Sequence, residues 1–104
     1  MQRVLTFVYN KKKYVSKPWR FSAAVMVQRE YLKLKEGEMI DPLQICSEAV
    51  DHLFEGTEAT ADILESAVSS KMRMCREVMK WYMDDFTGKN EESLPEEQAE
   101  ETKN

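Results

Sequence analysis

The side chains able to carry chemistry in this sequence are few. His52 is the sole histidine and follows Cys46 by six residues on a predicted helix. At about 100° per residue the two point about 120° apart, which is no chelating geometry, and no metal site is expected. Glu48, Asp51 and Glu55 recur on that helix opposite its apolar residues, where water keeps carboxylates ordinary and general acid–base work has no driving force. Lys11, Lys12 and Lys13 stand close to Tyr9, Tyr14 and Trp19, a grouping able to meet phosphates and stack on bases. Three features weigh against nucleic acid. Residues 1–88 balance at 13 basic and 13 acidic side chains, the acidic helix face would repel a polyanion, and alternating strand aromatics serve cross-strand packing. With three glycines in 104 residues there is no glycine-rich phosphate loop, and no Gly-x-Ser-x-Gly nucleophile motif either. No catalytic residue or cofactor is expected; the chain reads as a binding protein.

The arrangement of charge supports that reading. Residues 1–35 carry nine Lys or Arg against one acid, whereas Glu36 to Ser70 carry nine acids and no Lys or Arg. Charges placed for solubility alone would be scattered. Sorted blocks instead face each other, a neighbouring subunit or an oppositely charged partner.

The elements that must position these residues follow from local pattern. Arg3 to Tyr9 and Lys13 to Lys17 are rich in β-branched and aromatic residues and predict a β-hairpin turning at Asn10-Lys11-Lys12, with Pro18 ending the second strand. Ser22 is the expected cap of a first helix, in which Ala24, Val27, Tyr31 and Leu34 share a face and Gly37 marks the stop. Asp41-Pro42-Leu43-Gln44 predicts the start of a second helix that ends before Gly56. Its buried face is Cys46, Ala49, Val50, Leu53 and Phe54, and the two cysteines, Cys46 and Cys75, are expected as buried thiols.

From Thr57 or Thr60 an apolar stripe of Ala61, Leu64, Val68, Met72, Cys75, Met79, Tyr82 and Phe86 continues for about seven turns. Ser69-Ser70 is the point at which it could divide. The fold class is therefore α+β, mostly α, with an N-terminal hairpin followed by three or four helices. A second stripe, Met74, Val78 and Trp81, widens the apolar arc of the last helix. Either the hairpin covers it or it serves as a docking surface, since Met and Trp are common where partners bind.

Residues 1–88 form one expected domain. Residues 89–104, with six Glu against two Lys, hold the whole net charge of −4 and have little apolar surface, so a disordered acidic tail is expected there. The sequence lacks a membrane-length apolar run and a signal-peptide pattern, which predicts a cytoplasmic protein.

The basic hairpin, the Trp19-Arg20-Phe21 lead into helix one, Asp41-Pro42, the segment Val50-Asp51-His52-Leu53-Phe54-Glu55-Gly56-Thr57, the amphipathic last helix and the acidic tail together resemble the tail assembly chaperones of long-tailed bacteriophages and prophages. The resemblance covers residues 1–88 in layout. Leu53-Phe54-Glu55-Gly56-Thr57 is its most specific part. It implies a non-enzymatic chaperone in the host cytoplasm that coats the tape measure protein, keeps that apolar rod soluble and brings tail tube subunits to it. Sorted charge blocks fit head-to-tail self-association, and a Met-rich stripe fits a variable helical client. Expected partner-binding residues are Met74, Val78 and Trp81, Lys11 to Lys13, and Glu48, Asp51 and Glu55. Two further readings stand beside this one: a small nucleic-acid-binding regulator using the lysines, and a general interaction adaptor.

Overall fold

A computed structural model describes residues 2–88; the expected tail at 89–104 lies outside the described residues. Strands β1 (Thr6–Tyr9) and β2 (Lys12–Val15) pair antiparallel with Tyr9 opposite Lys12. The turn is thus two residues long. Asn10 and Lys11 both take positive φ, 52° and 65°, as a turn matched to the strand twist requires. Lys12 belongs to β2 rather than to the expected turn. Leu5, Phe7 and Tyr14 point inward, and Phe7 stacks on Tyr14 at 5.1 Å while meeting Phe54 edge-on at 5.4 Å. Lys17 donates its backbone N–H to the Leu53 carbonyl at 2.8 Å, which fastens the end of the hairpin to a helix.

In helix α1 (Phe21–Leu32) the N-cap position is Arg20, whose side chain makes no capping bond, and not Ser22. Trp19 is buried and tethered, so the chain enters the helix immediately after it, and Ser22 falls within the first turn. The helix also stops before Gly37. Lys33 and Leu34 close it with bonds to the carbonyls of Glu30 and Tyr31, which turns Leu34 toward the core. Helix α2 (Pro42–Phe54) matches its sequence signals: the Asp41 side chain accepts from Leu43 N–H at 3.0 Å, and Gly56 takes φ 79° just beyond the end. All five predicted inward residues are buried, together with Ile45.

The long stripe divides into α3 (Ala61–Ser66), capped by Thr60, and α4 (Val68–Phe86). The break falls at Ala67, with ψ 65°, and not at the serines, which sit in the first turn of α4. Ala67 is buried while Val68 is 60 % exposed, so the break rotates the inward face of the following helix. Met74, Cys75, Val78, Met79 and Tyr82 become that face. Helix α2 packs against both α1 and α4, and with the hairpin they enclose a single apolar core. Among the described residues the chain is a two-stranded hairpin followed by four helices.

Candidate functional site

An aspartate in the last turn of a helix opposes the negative end of the macrodipole, so Asp85 needs partners. Its Oδ2 accepts from Arg3 Nη2 at 2.8 Å and from the Trp19 indole N–H at 2.8 Å. Trp19 lies 5.7 Å from Trp81, and the Arg3 guanidinium sits over the Trp81 ring at 5.8 Å. One carboxylate thereby joins the N-terminal segment, the lead into α1 and the end of α4.

Beside this junction α1 and α4 bound an open cleft of about 520 Å³. Phe21, Ala24, Val25 and Gln28 form one wall, Tyr82 and Phe86 the other, and Arg3 and Arg20 line the cleft with the Trp19–Asp85 pair. The Tyr82 hydroxyl donates to Gln28 Oε1, which ties the walls together. Burial, and then neighbouring Tyr31, raise the Tyr82 pKa, so this hydroxyl keeps its proton. Phe21 is 83 % and Phe86 69 % exposed. Phe21, Val25, Gln28 and Leu32 follow at steps of four, three and four, which places them along one face of α1, and Leu32 is exposed as well. Large apolar side chains left in water around a concave surface have the character of a docking groove.

The expected site residues lie elsewhere. Met74 and Val78 are 0 % exposed and belong to the core, so they offer a partner no surface; Trp81 is half-buried against Trp19 and Arg3. The reason is that the enclosed arc of α4 is wide, taking in Met74 and Val78 together with Cys75, Met79 and Tyr82 of the first stripe. Lys11, Lys12 and Lys13 are exposed at the hairpin tip, where Lys12 pairs with Glu58 at 3.0 Å and lies over Tyr14. Tyr14 and Trp19 are buried, so they offer no stacking platform beside the lysines. Glu48, Asp51 and Glu55 are exposed on α2, with Asp51 paired to Lys71 at 2.7 Å and Glu55 3.3 Å from His52. The structure does not bring these three groups together. His52 also meets the Ser22 hydroxyl at 3.2 Å. Among the described residues no cluster of His, Cys, Asp or Glu is placed to hold a metal ion, and no helix is long and apolar enough to cross a membrane.

Sequence reasoning missed Arg3, Arg20, Phe21, Asp85 and Phe86. Two signals pointed to them: the second apolar line Phe21-Val25-Leu32 on α1, and the paired acids Asp84-Asp85 at a helix end that favours cations. No protein-family model, curated protein or solved structure matches the chain.

Proposed function

We propose that this protein is a non-enzymatic assembly chaperone acting in the cytoplasm, and that the α1/α4 cleft holds an apolar helical segment of its client. The cleft carries the proposal, because its aromatic lips stay in water beside a core that is already filled. An amphipathic helix laid between two helices would cover those lips, a mode that reads anchors at i, i+3, i+4 and i+7. The resemblance to phage tail assembly chaperones supplies the client, a tape measure protein, and tail tube subunits as the second partner. A long apolar rod offers many such segments, and a cleft with wide lips would accept varied ones. The nucleic-acid reading is weakened by the burial of Tyr14 and Trp19.

Co-expression with a tape measure protein is the test. The wild type should keep the rod soluble, and Phe21→Asp with Phe86→Asp should lose most of that yield while remaining folded, since both rings are largely exposed. A folded double variant that still solubilises the rod would overturn the reading.

A further inference from the structure

Charge is not balanced around the cleft. Arg3 and Arg20 line it, against the single carboxylate of Asp85, whose Oδ2 already takes two donors. Arg20 forms no ion pair among the described residues, and the first turn of α1 that follows it contains no acid. Arg3 is already engaged, donating from Nη2 to Asp85 and lying over the Trp81 ring. An N–H shut away from water without an acceptor is costly, and Arg20, exposed on the cleft, is the guanidinium that a covering segment would bring into that state. A helix with only apolar anchors would fill the walls and leave the Arg20 donors unmet.

We infer that the cleft selects apolar helical segments flanked by carboxylates, with a client Asp or Glu reaching Arg20 while the apolar anchors lie between Phe21 and Phe86. This rests on the proposed client-binding role of the cleft and adds the chemistry of the segment chosen. Guanidinium forks suit this task, since their planar donors match a carboxylate and strengthen when water is excluded. A client segment flanked by Lys or Arg meets the like charge of Arg20 instead.

The test uses the full chain and three fluorescein-labelled synthetic helices that share one leucine stripe and carry Glu, Gln or Lys in their flanking turns. Fluorescence anisotropy should show the Glu-flanked helix binding at least about tenfold tighter than the Lys-flanked one at low salt, with the gap narrowing as salt rises. Arg20→Gln should remove most of the preference and Arg20→Glu should reverse it; Arg20 is exposed, so neither change threatens the fold. Equal binding of all three helices would overturn the inference and leave the client-binding cleft standing. Binding of none would defeat both. Displacement of the Glu-flanked helix by a synthetic peptide of residues 89–104, abolished by Arg20→Glu, would make the chain's own acidic segment the occupant and also overturn it.

Discussion

Asp85 shows how much a single side chain can organise. Its carboxylate sits where the α4 dipole disfavours it, and the Arg3 and Trp19 donors offset that cost while tying three segments together. Removing it as Asp85→Ala leaves the indole N–H and the guanidinium unmatched. The Arg3 and Asp85 side chains are 34 % and 25 % exposed, so water screens part of the loss, and about 1–2 kcal/mol is expected in a denaturant melt. Cys46 makes a different contribution. Burial, and then the charge of nearby Cys75, push its pKa from 9.0 up to about 12. The folded state therefore holds the thiol proton more tightly than the unfolded chain does. That stabilisation is complete below about pH 9 and declines as pH rises to about 12, with a slope of up to about 1.4 kcal/mol per pH unit. Other groups titrate in the same range, so the measurement is a comparison: Cys46→Ala should show a shallower alkaline loss of stability than the wild type.

At the scale of the elements, the hairpin turn is the place where sequence and geometry disagree. Lys11 holds φ 65°, a left-handed conformation that costs an L-residue with a Cβ about 1–2 kcal/mol. Asn-Gly is the pair that such a two-residue turn favours, and the side chain of Lys11 is exposed. Lys11→Gly should therefore raise stability by about 0.5–1 kcal/mol, the larger unfolded entropy of glycine cancelling part of the relief. A lower melting temperature in this variant would mean that the lysine makes a contact that outweighs its strain. The break at Ala67 matters more for function. It lets α3 finish with Leu64 inward and α4 begin in a new phase, with Met74 and Val78 buried and Phe86 at the edge of the cleft.

Across the whole molecule, the sorted charges are only partly used. Among the described residues one ion pair, Lys12 with Glu58, joins the basic first 35 residues to the acidic block that follows. Lys11 and Lys13 at one end, and Glu48, Asp62 and Glu65 on the helices, are exposed and make no ion pair among the described residues. Head-to-tail association of copies through these surfaces is the proposed use of the surplus. Association should then weaken as salt rises, because exposed charges are screened over about 10 Å at 0.1 M. Sedimentation of the wild type and of Glu48→Lys, Asp62→Lys at low and high salt checks this; Asp51 is left in place because it already pairs with Lys71. A monomer under every condition would end the idea.

Residue types and local spacing alone settled the α+β character, the hairpin, and helix α2 from its Asp41 cap to Gly56, with all five expected inward residues buried and Ile45 added by the structure. Capping, turn conformation and the burial of one helix face depend on residues a few positions apart, so they can be read along the chain. The boundaries of α1 were not legible, because buried Trp19 and the inward turn of Leu34 decide them through contacts distant in sequence. Nor was the extent of the enclosed arc on α4: periodicity shows two apolar stripes, but only packing against α2 determines that Met74 and Val78 are enclosed with Cys75, Met79 and Tyr82 while Val68, Met72 and Phe86 stay exposed. The cleft belongs to the same class of fact. Arg3, Arg20, Phe21, Asp85 and Phe86 span almost the full described chain, and they become neighbours only when α4 returns past the start of α1.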